Sequence, residues 1–155
     1  MRRTNDDTRS ATRSPGPVLE TKTLIMDSTL ESADRAERAA LEAAQNYGLQ
    51  EDTVDQIGLA VHEIATNAVI HGNRSKVHKR VLATILRTRE ALKIIISDEG
   101  DGFDPDSLRD PLSPQGLSEG SGRGVFLARS IMDEFYVQRD VAGWTTVTMV
   151  KYFIP

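Results

Sequence analysis

Hydrophobic positions recur along this chain with two periods. From Val18 to Met26 they alternate loosely with polar residues, the two-residue rhythm of a strand. From about Thr29 to Tyr47 the rhythm lengthens to that of an alanine-rich helix. Ser28, with Glu31 three residues on, resembles a capping box at its start, and Gly48 is a natural stop. A second helix runs from about Glu51 to Ile70 and ends near Gly72. Alternation returns over Val81–Arg87 and Ala91–Ser97, joined at Thr88–Arg89–Glu90 in a hairpin pattern. Asp98 to Gly124 breaks both rhythms and is dense in Gly, Pro, Asp and Ser. So long an irregular stretch within a compact domain usually serves function. A helix from Val125 to about Glu134 follows, then strands Phe135–Arg139 and Trp144–Phe153, turning near Ala142–Gly143. The sum predicts an α/β (α+β) two-layer sandwich over residues 18–155, with a mixed, mostly antiparallel sheet and helices on one face. Residues 1–17 have almost nothing to bury and read as a disordered tail.

Composition narrows the class. At 155 residues, 39% hydrophobic and 27% charged, the chain fits one soluble domain with a real core. A net charge of −4 argues against a broad electrostatic grip on nucleic acid. No apolar run approaches ~20 residues, so no membrane span is expected, and no secretory leader is visible. The absence of cysteine excludes disulfides and thiolate zinc sites and fits a cytoplasmic protein.

The second helix carries a pattern that core packing does not require. A helix advances about 100° per residue, which places Val54, Ile57, Val61, Ile64 and Ala68 on one core stripe. His62 and Thr66 fall on the far side, toward solvent, while Glu63, Asn67 and His71 share one flank at the edge of the stripe. Asn is a poor residue for a helix interior, because its side chain competes for the backbone. An amide oxygen can ligate a hard cation such as Mg²⁺. A carboxylate one turn earlier can accept a proton. A polar flank without chemistry remains the competing explanation at this point.

Two glycine-bearing segments add to the pattern. "SDEGDGFDP" places Asp98 at a strand end, followed by Gly100 and Gly102, a carboxylate well set to accept from an exocyclic amine. "EGSGRGVFLARSIMDEF" leads Gly120, Gly122 and Gly124 into a helix whose free N–H groups suit phosphate, with Arg123 beside them. In "GWTTVTMVK" Thr145 shares a strand face with Val147 and Met149 and could join Asp98. Each segment alone is weak evidence.

Together and in this order, ExxxNxxxHG, DxGxG, GxGRG and a closing Thr resemble the GHKL ATP-binding family of gyrase, heat-shock chaperone ATPases, histidine kinases and mismatch-repair ATPases. The wording of "LAVHEIATNAVIHGN", "SDEGDGFDP" and "GRGVFLARSIMDEF" is most similar to the bacterial anti-sigma factor serine/threonine kinases. The resemblance implies ATP and Mg²⁺ as cofactors, with Asn67 ligating the metal and Glu63 as general base. It implies that Asp98 reads the adenine amine with Thr145, or Thr146, helping. Gly100 and Gly102 would shape the base pocket, and Gly122, Arg123, Gly124 and Val125 would hold phosphates. His71 and Gly72 would close the helix end beside the pocket. Residues 104–122 would form a flexible lid. The implied partners are an antagonist protein, phosphorylated on Ser or Thr, and a sigma factor that is sequestered, with homodimerisation of the kinase itself. An ATP-binding module of the same fold without phosphotransfer and a histidine-kinase-type catalytic domain remain as alternatives.

Overall fold

A computed structural model of the chain describes residues 14–100 and 123–153. Strand β1 (Glu20–Asp27) leads into helix α1 (Leu30–Asn46), then α2 (Glu51–Asn67), which passes into a π turn at Ala68–Gly72. Strands β2 (Arg80–Arg87) and β3 (Ala91–Asp98) follow, then helix α3 (Arg123–Ile131) and strands β4 (Glu134–Arg139) and β5 (Thr145–Tyr152). The strands form one five-stranded sheet in the order β1-β2-β3-β5-β4. Every pairing among the described strands is antiparallel, so the expected mixed sheet is antiparallel throughout.

The alternation in the strands assigns the two faces. Leu24, Ala83, Ile96, Val147 and Val137 stand in one row across the sheet and face the helices. Ile57, Val61 and Ile64 of α2 join Ile94, Ile96 and Met149 in a single core, with Val125 and Ala128 of α3. Helix α1 contributes Ala33, Ala36, Ala40 and Ala44, all fully buried. These small side chains let it approach α2 closely. A Cβ on Gly58 would stand 2.6 Å from Leu41 Cδ2, so that position admits no side chain without a shift. The opposite row, Thr23, Thr84, Ile95, Thr148 and Tyr136, lies on the face away from the helices.

The helix ends refine the expectations. Thr29, not Ser28, caps α1, its Oγ1 accepting the Ser32 N–H at 3.3 Å. Ser28 is buried, and its hydroxyl donates to the Lys79 carbonyl at 2.6 Å. Gly48 closes the α1–α2 turn at φ 79°, and Gly143 turns β4 into β5 at φ 89°. Helix α3 begins at Arg123 and ends at Ile131, earlier at both ends than its apolar pattern indicated. No helix among the described residues is long and apolar enough to cross a membrane.

Candidate functional site

The last residue of β3 and the first of β5 meet across the sheet. Register sets Asp98 opposite Thr145, both on the helix-bearing face, and both are buried, at 3% and 0% exposure. Asp98 Oδ1 accepts the Gly100 N–H at 3.0 Å. Loss of solvent is the dominant influence on this carboxyl and pushes its pKa up to about 6. The Gly100 N–H, Lys79 and Arg139 act in the other direction and offset only part of it. The Thr145 hydroxyl has no hydrogen-bond partner among the described residues. Buried hydroxyls are nearly always bonded, so the Asp98–Thr145 pair is a candidate point of contact for a ligand. Of the neighbouring threonines, Thr145 is the one that faces Asp98. Thr146 pairs with Ser97 on the other face, Oγ to Oγ1 at 2.9 Å.

Two glycines close the floor around the carboxylate. A Cβ on Gly72 would collide with the Asp98 carboxylate, and one on Gly100 would collide with the Gly72 carbonyl. The missing side chain of Gly100 therefore makes room for the Gly72 backbone. The π turn brings Gly72 to this place. Its wider hydrogen bonds, with the Asn73 N–H donating to the Ala68 carbonyl at 2.8 Å, move the chain off the α-helical phase after Asn67. The same shift breaks the expected column: Glu63 and Asn67 stay half-buried on one flank, whereas His71 is exposed.

Helix α3 packs against that flank. A Cβ on Gly124 would collide with Glu63 Oε2, so the carboxylate lies directly against the start of α3. Arg123 is exposed at the first position of α3. Val125 buries its side chain in the core at 2% exposure, leaving only its backbone to face a ligand. Asp98, Gly100 and Thr145 thus meet at one end of the sheet, and Glu63, Asn67 and Gly124 along the adjoining α2–α3 seam. Gly102, Gly122 and the expected lid lie outside the described residues.

The flank expected to face solvent instead faces α1. His62 is half-buried, with Nδ1 2.9 Å from Glu37 Oε2 and 3.6 Å from Asp34 Oδ1, and Thr66 is half-buried too. Sequence reasoning also passed over Asn73, as fully buried as Thr145 at 0% exposure. The only signal was an Asn directly after the helix-ending Gly72, which reads as an ordinary turn residue.

Comparison with known proteins agrees with this geometry. The family described as "Histidine kinase-like ATPase domain" matches residues 26–151. Serine-protein kinase RsbW of Bacillus subtilis (strain 168) is 34% identical over 116 residues, covering 70% of this chain and 71% of that protein. Serine-protein kinase RsbW of Staphylococcus aureus (strain MRSA252) is 32% identical over 112 residues, covering 68% and 69%. Among solved structures, the RsbU and RsbW domains of a Mycobacterium tuberculosis protein superpose with a TM-score of 0.63 at 18% identity, over 88% of this chain and 34% of that one, a likeness of fold. With its fold, its buried Asp98–Thr145 pair and these relatives in agreement, the chain belongs to the histidine kinase-like ATPase domain family, alongside the RsbW serine-protein kinases.

Proposed function

We propose that the protein is an ATP-dependent serine/threonine kinase whose nucleotide lies between the Asp98–Thr145 pair and the start of α3. The observation that carries the reading is the buried Asp98 carboxylate facing the Thr145 hydroxyl, which has no hydrogen-bond partner among the described residues. An adenine ring offers this pair an exocyclic N–H donor for the carboxylate and a ring nitrogen for the hydroxyl. From there the phosphates reach along α2 to the first turn of α3. Arg123 and the backbone N–H groups of Gly124 and Val125 favour negative charge there. Gly102 and Gly122 would add backbone to the same pocket. The Asn67 amide oxygen, half-buried on the seam, is a hard neutral donor that fits Mg²⁺. Bound there, Mg²⁺ would neutralise charge on the phosphates.

Glu63 is the group placed to move a proton. The substrate Ser or Thr oxygen forms a bond to the γ-phosphorus, the bond to the bridging oxygen of ADP breaks, and the hydroxyl proton passes to the Glu63 carboxylate. Its position beside Gly124, on the seam that also holds Asn67, supports this role over that of a packing residue. The partner side of the reading rests on the motif resemblance. The substrate would be an antagonist protein, a sigma factor would be sequestered in turn, and the kinase would act as a homodimer. Phosphate added to the antagonist would weaken its complex by charge and desolvation, freeing the kinase for the sigma factor.

The test separates binding from transfer. Glu63→Ala should retain Mg·ATP binding by calorimetry while phosphate transfer to the antagonist falls by about 10²- to 10⁴-fold. Transfer at the wild-type rate removes the base assignment. Failure of the wild-type protein to bind ATP removes the whole reading.

A further inference from the structure

A buried polar junction lies behind the pocket floor. Asn73 Nδ2 donates to Ser28 Oγ at 2.6 Å and to the Arg80 carbonyl at 3.0 Å. Ser28 Oγ in turn donates to the Lys79 carbonyl at 2.6 Å. A carbonyl can only accept, so Arg80 fixes the orientation of the Asn73 amide, and Lys79 fixes the proton of Ser28. The chain of donors therefore runs one way, and each bond polarises the next. It ties the end of β1, some 45 residues away in sequence, to the exit of the π turn and the entry to β2.

What the junction holds is under load. Immediately after Asn73 the chain turns back through Arg74 and Ser75, at φ 51° and 55°. Non-glycine residues in this left-handed region cost about 1–2 kcal/mol each. The Ser75 N–H reaches back to the Val69 carbonyl at 2.8 Å, so the reversal and the π turn form one unit. On its other side this unit presses Gly72 onto the Asp98 carboxylate, with no room for a Cβ between them.

We propose that Asn73 is a positioning residue: its amide anchors the π turn to β1 and β2 and so holds Gly72 against the carboxylate that faces Thr145. The inference rests on the nucleotide-site reading for its functional meaning, but its mechanical content concerns Asp98 alone. Removing the Asn73 amide would let the π turn relax and water reach Asp98. The charged groups acting on that carboxyl, Lys79 before β2 and Arg139 at the end of β4, are both cations. Hydration would therefore remove the main influence that holds the pKa up.

The experiment compares Asn73→Ala with Thr88→Ala in the full chain. Thr88 is a control buried to 1% exposure at the far end of β3, with its hydroxyl hydrogen-bonded. Both variants should lower the thermal midpoint. Only Asn73→Ala should move the Asp98 titration, followed by carboxyl ¹³C NMR without nucleotide, down by a pH unit or more from about 6. Only Asn73→Ala should also weaken ADP binding, by roughly tenfold, the equivalent of about 1.4 kcal/mol. Ser28→Ala, which keeps the Arg80 bond, should give a smaller shift in the same direction and serves if Asn73→Ala does not fold. An unmoved Asp98 titration in a folded Asn73→Ala, or in Ser28→Ala where that variant stands in, overturns the proposal. If the titration moves while the wild-type chain binds no nucleotide, the positioning role stands and the nucleotide reading fails.

Discussion

Strand β3 begins and ends in buried polar groups, and the two ends are finished differently. At the Ala91 end the Thr88 hydroxyl accepts the Glu90 and Ala91 N–H groups at 3.2 and 2.9 Å and donates to the Ala91 carbonyl at 3.3 Å. The hairpin turn closes on itself. At the Asp98 end a carboxylate is buried at a cost to its ionised form, and the hydroxyl opposite it bonds to nothing among the described residues. Both ends sit on the same strand, under the same helices. Burial of polar groups is thus common to both ends, and what differs between them is that the Thr145 hydroxyl is left unbonded among the described residues while the Thr88 hydroxyl is not.

The comparison breaks most readily at Asp98. Asp98→Asn should weaken adenine nucleotide binding by about 2–3 kcal/mol, the usual worth of a hydrogen bond to a charged group. The same change should raise the thermal midpoint at neutral pH, because it removes a desolvated charge. Calorimetry and a melt on one preparation read both. Unchanged binding would make the Asp98 end no more a site than the Thr88 end.

Acid offers a second, smaller handle. The folded carboxyl titrates at about 6, above the ordinary carboxylate range, so the folded state holds this proton more tightly than the unfolded state. The contribution of Asp98 to stability is thus fully present in acid and is lost as pH rises through about 6. Nucleotide affinity should move the other way, since a protonated carboxyl no longer accepts the amine well. It should fall by about tenfold per pH unit once the pH drops below 6. Affinity that stays flat between pH 7 and 5 would detach the carboxylate from the ligand.

The smallest expected effect is at Thr145. Thr145→Val keeps the shape and removes a hydroxyl with no bond to lose among the described residues, so the melting midpoint of the free protein should hold or rise slightly. Nucleotide affinity should drop by about 1 kcal/mol. A destabilised variant with unaltered binding would show that Thr145 serves the sheet instead.

Much of this was legible in the chain because it is written locally. Period-two and period-3.6 patterns located the strands and helices to within a few residues, and Asp98 stood out as a carboxylate at the end of an apolar strand. Glu63 and Asn67 were placed on a shared flank by helical geometry alone. What escaped depends on partners remote in sequence. Ser28 and Thr29 are both plausible caps, and only the Lys79 carbonyl decides that Ser28 is used elsewhere. Asn73 looks like any turn residue until Ser28 and Arg80 are brought to it. His71 left the column because the π turn obeys a spacing that no local propensity announces. Gly100 was noticed for a close approach, and the close neighbour among the described residues is the Gly72 backbone.

The π turn also amounts to an extra residue inserted into a helix. Elsewhere such an insertion would rotate every later side chain by about 100° and scramble the buried stripe. Here no further helical turn follows, because the chain reverses at Arg74 and Ser75. The slip is absorbed where it arises, and the stripe from Val54 to Ile64 is untouched by it. One helix thus answers to two requirements at once: its body is packed for the core, and its exit is set separately by the bonds of Asn73 to Ser28 and Arg80.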